Sequence, residues 1–207
     1  MNLIDLTQLK SGLTLTGDIA ADATAFLQLH DFPKTAAHVG DVAREAGKLA
    51  LRYGADVQDA QAAGWLHDIS VVIPNHERIA AAQAWEVPIL PAEQTFPMII
   101  HQKLSVVMAR ALFGVQDEAI LSAIGCHTTL KRDASVLDKI VYVADKIAWD
   151  QPGTPPYYED IIAALDQSID HAAFVYARYL WEMRDQLRVL HPWAQDAYED
   201  LYRHLVG

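Results

Sequence analysis

The sequence predicts an all-α protein, a helical bundle joined by short loops. Three observations carry that reading. Apolar residues recur at helical spacing in one segment after another, and the two-residue alternation of a half-buried strand hardly occurs. Gly, Pro and capping residues punctuate the chain at helix-length intervals. No internal repeat is present.

The elements follow in order. Residues 17–30 ("GDIAADATAFLQLH") give a helix that stops near Pro33. Residues 35–53 give a long one, opened by Thr35 as N-cap and closed by Gly54, with Val39, Val42, Ala46, Leu49, Ala50 and Tyr53 along its apolar stripe. Asp56 is the expected N-cap of a helix over 57–68, which ends in the His67-Asp68 doublet of "GWLHDIS". A loop bearing Pro74 leads to a short helix at 76–84, and the proline-rich run 87–97 reads as a connector. Further helices are predicted at 101–113, closed by Gly114, at 116–127 and at 135–148. The segment "DQPGTPPYY" at 150–158 breaks the pattern, and two last helices are expected at 158–189 and 192–205, parted by His191-Pro192.

Size and composition limit what such a bundle does. With 207 residues the chain suits one well-packed domain with extra helices, and 52% apolar against 21% charged residues argues against disorder. The longest uncharged apolar stretches, such as "VPILPA" and "FPMII", hold proline and fall far short of the roughly 20 residues of a membrane span. The N-terminus shows no basic start followed by an apolar stretch, so a cytoplasmic location is the expectation. The single cysteine, Cys126, can form no internal disulfide and no cysteine-type zinc site, and is read as a small core residue. Any metal would therefore rest on His and carboxylates. A net charge of −11 argues against a nucleic-acid-binding surface. Lys103, Lys131, Arg132, Lys139 and Lys146 nonetheless gather near the histidines, where a local positive field suits a small phosphorylated substrate. Most of these are expected to be solvated helix faces.

The histidines fall on buried stripes. His67 follows Ala60 and Ala63 on one helix face, and His127 stands in the same relation to Ile120 and to Ala123 or Ile124. His101 precedes Leu104, Ser105 and Met108, His38 precedes Val42 and Leu49, and Asp145 lies among Val141, Ala144 and Ala148. An ionised carboxylate buried among aliphatic residues is costly unless something compensates it. One inward histidine is usually a satisfied core residue, but five or six such positions on successive helices point to a divalent cation held by imidazoles and carboxylates.

The order His38, then His67-Asp68, then Asp145 resembles the H…HD…D signature of the HD-domain metal-dependent phosphohydrolases. The blocks "AAHVGDVAREAGKLALRYGADVQDAQAAGWLHDIS", His101, "CHTT" at 126–129 and "LDKIVYVADKI" at 137–147 are similar to those of the bacterial symmetrical diadenosine-tetraphosphate hydrolases. The resemblance implies an HD-domain bundle over 34–150, an N-terminal helical extension at 1–33, and C-terminal helices at 151–207 packed on the bundle. These flanking segments are expected to cover the site or to form a homodimer interface. It implies His38, His67, Asp68 and Asp145 as ligands of a divalent metal, iron in this branch, with manganese, magnesium, cobalt or zinc as alternatives. It further implies catalytic roles for Asp68, His101, His127 and Lys146, and substrate contacts from His101, His127, Thr128 and Thr129; Lys131 or Arg132 is expected to stand in for an Arg of the branch that this chain lacks. The implied reaction is hydrolysis of a nucleotide phosphoanhydride by a metal-activated water, first of all symmetrical cleavage of diadenosine tetraphosphate to two ADP.

Three places depart from the branch. Where it carries Glu, Pro and then Arg after "ADKI", this chain has Ala148, Trp149, Asp150 and Gln151; Val71 stands where many members have Lys; Leu130, Lys131 and Arg132 replace a glycine-containing turn. The metal set is intact while the polyphosphate contacts change. The alternatives are thus a nucleoside monophosphate or another phosphoester as substrate, a nucleotide sensor without turnover, and a helical scaffold with structural histidines. His76 is expected at a solvated helix start, and His30, His171, His191 and His204 on the surface or in packing. Tyr176, Tyr179, Trp181 and Trp193 are expected in the core or an interface.

Overall fold

The computed structural model describes residues 6–149 and 151–207, and among these it contains helices and no strand. α1 (Leu6–Leu9) is one turn. α2 (Ile19–Leu29) follows, with the Asp18 carboxylate accepting the N–H groups of Ala20 and Ala21. α3 (Pro33–Tyr53) ends at Gly54, whose φ of 74° is the left-handed conformation that glycine takes without strain and whose N–H donates to Ala50 O. α4 (Val57–Leu66) is capped by Asp56. A 3₁₀ turn (Ile69–Val72), α5 (Arg78–Ala84), α6 (Pro91–Thr95) and α7 (His101–Phe113) lead to α8 (Glu118–Cys126), capped by Asp117. α9 (Val136–Ile147) starts at Ser135 in a reciprocal capping box with Asp138. α10 (Tyr158–Ala164), α11 (Ile169–Glu182) and α12 (Pro192–Leu205) complete the chain.

Beyond shifts of one or two residues at helix ends, four elements differ from the sequence expectation, each for a local reason. α3 starts at Pro33 and not at a Thr35 cap, because proline in the first helical position gives up no hydrogen bond. α4 stops at Leu66, short of 68, and Asp68 turns out of the helix with φ −109° and ψ 17°. The run 87–97 is not a bare connector: it holds α6, where Glu93 accepts the Leu90 N–H. The expected single helix over 158–189 is two and ends at Glu182, since Ser168 adopts an extended backbone and caps a new helix by accepting the His171 N–H, and turns follow Glu182. Of the break at 150–158, Asp150 lies outside the described residues.

α3 packs against α2, α4 and α9, while α8 lies against α4, α7 and α9. α11 packs on α9 and carries α10 and α12 with it. The α3–α4 crossing is close because Gly64 has no Cβ; one there would stand 2.6 Å from Ala43 Cα. Phe26, Val39, Val42, Leu66, Leu104, Met108, Ile124 and Ile140 fill the interior. The last turns of α4 and α8, the first turn of α7 and one face each of α3 and α9 thereby converge. Among the described residues no helix is long and apolar enough to cross a membrane.

Candidate metal centre

Six predicted residues meet at that convergence. His38 comes from α3, His67 and Asp68 from the end of α4, His101 from the start of α7, His127 from the end of α8 and Asp145 from the last turns of α9. His38 Nε2 is 3.2 Å from Asp145 Oδ1, and His67 Nε2 lies 3.6 Å from the same oxygen and 3.7 Å from Asp68 Oδ2. The other Asp68 oxygen, Oδ1, faces His101 Nε2 at 3.1 Å and His127 Nε2 at 3.5 Å. Asp68 thus lies between two groups of imidazoles.

The ring tautomers are set from behind. Nδ1–H of His67 donates to Gly64 O at 2.7 Å, that of His101 to Met98 O at 2.6 Å, and that of His127 to Ile124 O at 2.8 Å. With its proton on Nδ1, each neutral ring presents a bare Nε2 to the shared space. The Nε2 atoms of His101 and His127 are only 3.0 Å apart. Two facing lone pairs repel, whereas two donors held roughly 2.1 Å from a common ion at right angles stand about 3.0 Å apart. His67 Nε2 and Asp68 Oδ1 are buried and have no hydrogen-bond partner, as has His38 Nδ1. Buried polar atoms are rarely left so, and cations held at the centre satisfy the first two. The donor atoms of His38, His67 and Asp145, and those of His67, Asp68 and His127, form two groups each within 4.8 Å. The residues fit a divalent metal.

The electrostatics agree with that fit. Burial raises the Asp68 carboxyl, but His67, His101 and His127 outweigh it and hold it well below the usual carboxylate range. Burial also raises Asp145, and Lys146, His38 and His67 bring it well down. Burial lowers His67, yet the charges of Asp68 and Asp145 push it up to about 9: the carboxylates draw positive charge to this point. His127 is pushed down to about 4, by burial first and by the neighbouring imidazoles of His67 and His101 against Asp68, so it stays a neutral donor. Lys146 ion-pairs Asp145 Oδ2, and its ammonium lies over the rings of Tyr142 and Tyr176 at 5.8 and 5.2 Å. Asp145 is left with Oδ1 for the centre. The Asp68 side chain remains 25% exposed, which puts the mouth on its side.

The remaining sequence candidates are spread more widely. Thr128 Oγ1 joins the centre, 2.9 Å from His127 Nε2 and 3.2 Å from His101 Nε2. Thr129 is buried and bonds to Gln102 and Leu130 O. Lys131 reaches Ser122 and Asp138 between α8 and α9, and Arg132 pairs with Asp196 and Glu199 on α12. None of these three turns to the imidazoles. Cys126 is buried, and burial and Asp138 push its thiol well up, as for a small core residue. His30 bonds Leu9 O, His76 is solvated, His171 meets Ser168, and His191 is buried as the cap of α12. Tyr176 and Tyr179 pack with Tyr157, Trp181 stacks on Tyr198, and Trp193 lies under Lys103.

Sequence reasoning missed three polar supports. Ser70 Oγ donates to His101 O at 2.8 Å, Ser105 Oγ donates to Ser70 Oγ at 3.0 Å, and Gln102 Oε1 accepts the Thr128 N–H at 3.2 Å. Ser105 follows His101 by one helical turn on an otherwise apolar stripe, and that placement was the available signal.

Comparison with known proteins gives the same answer. Residues 35–150, more than half of the chain, match the family model described as HD domain. The "uncharacterized protein in pepC 5'region" of Lactococcus lactis subsp. cremoris is 46% identical over 143 residues, which are 69% of this chain and 72% of that protein. The symmetrical bis(5'-nucleosyl)-tetraphosphatase of Bacillus subtilis is 34% identical over 112 residues, 53% of this chain and 59% of that one. A crystal structure described as a predicted HD superfamily hydrolase involved in NAD metabolism, from Clostridium acetobutylicum, shares the fold with a TM-score of 0.81 at 24% identity. The match covers 89% of this chain and 97% of that structure. Family match, shared fold and converging donors agree: this chain belongs to the HD-domain family and is a metal-dependent phosphohydrolase.

Proposed function

We propose that the protein hydrolyses a phosphoanhydride of a nucleotide, with symmetrical cleavage of diadenosine tetraphosphate to two ADP as its reaction and iron as its ion. The observation that carries the reading is Asp68, with one oxygen toward His101 and His127 and the other toward His67. That arrangement supports two adjacent cation positions. His38, His67 and Asp145 would hold one ion; Asp68, His101 and His127 would hold the other. This assigns His101 and His127 to the metal and not, as the resemblance implies, to the phosphate chain. The substrate follows the Bacillus subtilis relative, a symmetrical tetraphosphatase by name.

Divalent cations so held would supply Lewis acidity toward a phosphoryl oxygen and a bound water more acidic than bulk water. The chain's own residues do the rest. Lys146 keeps Asp145 ionised and turned so that one oxygen serves the centre. The carbonyls of Gly64, Met98 and Ile124 keep three rings in the donor tautomer. The Thr128 hydroxyl, at the mouth beside His101 and His127, is placed to donate to a phosphoryl oxygen.

A second reading has an observation of its own. Lys131 and Arg132, the cations meant to replace the missing family Arg, are engaged by Asp138, Asp196 and Glu199. A nucleoside monophosphate, with less charge to neutralise, fits that better. Elemental analysis of protein purified without chelator, then incubation with diadenosine tetraphosphate and chromatography of the products, separates the cases. Two iron per chain with ADP as sole product is the expected result. Bound metal without turnover moves the substrate to a monophosphate, and protein without metal rejects the centre. His67→Ala and Asp68→Ala are expected to lose metal and activity with helical content kept.

A further inference from the structure

Arg78 opens α5, outside the six residues of the centre, yet it is only 8% exposed. A buried arginine usually faces a carboxylate. This one feels the charge of Asp68 and donates its hydrogen bonds to two backbone carbonyls, Nε to Ile73 O at 3.2 Å and Nη1 to Met98 O at 3.1 Å. Both acceptors lie on segments that deliver donors to the centre. Ile73 ends the 3₁₀ turn that begins just after Asp68. Met98 O is the carbonyl that accepts Nδ1–H of His101. One guanidinium therefore ties the chain leaving Asp68 to the chain entering His101.

We propose that Arg78 is a positioning residue of the metal centre, fixing the turn that bears Asp68 against the segment whose Met98 carbonyl orients the His101 ring. The proposal rests on the reading of Asp68 and His101 as metal donors given above. The physical reason for arginine is its planar fork: it serves two carbonyls from one rigid group, whereas an ammonium is a single flexible point. Without it, Met98 O is held by His101 alone and is free to turn, and Ile73 O loses its donor in a buried place. Ser70, bonded to His101 O, braces the same two segments independently, so the fold itself survives the loss. The consequence is a centre whose Asp68–His101 spacing, 3.1 Å here, is no longer fixed.

Removing a group that orients a metal ligand weakens metal binding or rate roughly 10- to 100-fold. The test uses full-length Arg78→Met and Arg78→Lys, stripped with chelator and titrated with Mn²⁺ by calorimetry. Kinetics on diadenosine tetraphosphate and long-range ¹H–¹⁵N spectra of the His101 ring in the metal-free protein accompany the titration. Arg78→Met is expected to lose Mn²⁺ affinity and kcat by roughly 10- to 100-fold at an unchanged KM, with the His101 ring no longer purely the Nδ1–H tautomer. Arg78→Lys is expected to recover part of each, and it carries the test alone if circular dichroism finds Arg78→Met unfolded. A raised KM with wild-type kcat and Mn²⁺ affinity would overturn the proposal in favour of a substrate contact. A lower melting temperature with wild-type metal affinity, ring tautomer and kcat would reduce Arg78 to packing. If the wild-type protein binds Mn²⁺ but leaves diadenosine tetraphosphate intact, the substrate reading fails, while the titration and the ring spectra still decide the role of Arg78. A wild-type protein that binds no Mn²⁺ overturns the centre and this proposal together.

Discussion

Gly64→Ala is expected to destabilise the protein by about 2 kcal/mol and to weaken its metal centre, a result that tests how the α3–α4 crossing builds the site. A Cβ on residue 64 would lie 2.6 Å from Ala43 Cα, 2.8 Å from Ala43 N and 3.2 Å from Ala43 Cβ. Backbone atoms cannot rotate aside, so α4 has to move off α3 by roughly 1 Å to restore contacts of about 3.5–4.0 Å. Overpacking of this kind costs about 1–3 kcal/mol, with rigid backbone clashes at the upper end, and alanine in a helix interior returns about 1 kcal/mol over glycine. The balance, about 2 kcal/mol, lowers the melting temperature by roughly 4–8 °C in a chain of this length. The displacement reaches the centre directly. Gly64 O holds the His67 ring, and the ring centroid of His38 on the facing helix is 5.3 Å from that of His67. A misplacement of about 1 Å can cost on the order of 100-fold in rate. Urea unfolding by circular dichroism gives the stability, and Mn²⁺ calorimetry gives the affinity. Gly125→Ala is the comparison, because its Cβ would meet only Val106 Cγ2 at 3.0 Å, a side-chain methyl able to give way. Should Gly64→Ala instead gain the ~1 kcal/mol of helix propensity alone and bind metal as wild type, the crossing does not position the ring pair.

Two further outcomes are expected. Lys146→Met removes the counter-ion of Asp145 Oδ2, so the carboxyl rises and is free to turn; Mn²⁺ affinity is expected to fall roughly 10-fold, and an unchanged affinity would show that the ammonium does not orient Asp145. Glu93, buried between α6, α7 and the cap of α12, is raised by burial but brought lower on balance by His191, the Leu90 N–H and Lys103. A carboxyl lower in the folded than in the unfolded state contributes stability that is complete above its ordinary value of 4.5 and is lost as pH falls through the lower folded value. Glu93→Gln should therefore flatten the acid limb of stability against pH, read from urea midpoints at successive pH values; a limb of wild-type slope refutes the assignment.

What the sequence made legible follows from periodicity. His67, His127 and Asp145 could be placed inside because alanine, isoleucine and valine one or two turns away share their faces, and burial on a helix repeats with the turn. The doublet's geometry was not legible, since it depends on where α4 ends, and two consecutive residues reach one centre here because Asp68 leaves the helix. Arg132 reads like any cation beside a histidine block, and only the packing of α12 reveals Asp196 as its partner. Arg78 is the opposite case. At the start of a short amphipathic helix it reads as solvated, and its burial is decided by the Met98 carbonyl, 20 residues further on.

The centre also explains why its donors cluster where helices end. In a helix interior the carbonyl behind a histidine is taken by the backbone, so the ring has no acceptor for Nδ1–H. His38, inside α3, shows this: its Nδ1 is buried without a partner, and its ring is oriented only through Nε2 and Asp145. At the ends of α4 and α8 the last carbonyls lack intrahelical donors, and those of Gly64 and Ile124 accept the rings of His67 and His127 three residues on. The turn before α7 supplies Met98 O to His101 in the same register. A carbonyl that would otherwise be left unsatisfied thereby sets the tautomer, and the tautomer in turn leaves Nε2 bare toward the cation. The rings of His67 and His127 are thus oriented by backbone carbonyls, that of His101 by a carbonyl that Arg78 also holds, and the fourth depends on the carboxylate that Lys146 holds in place. The geometry of helix termination and the chemistry of metal binding are, in this bundle, one arrangement.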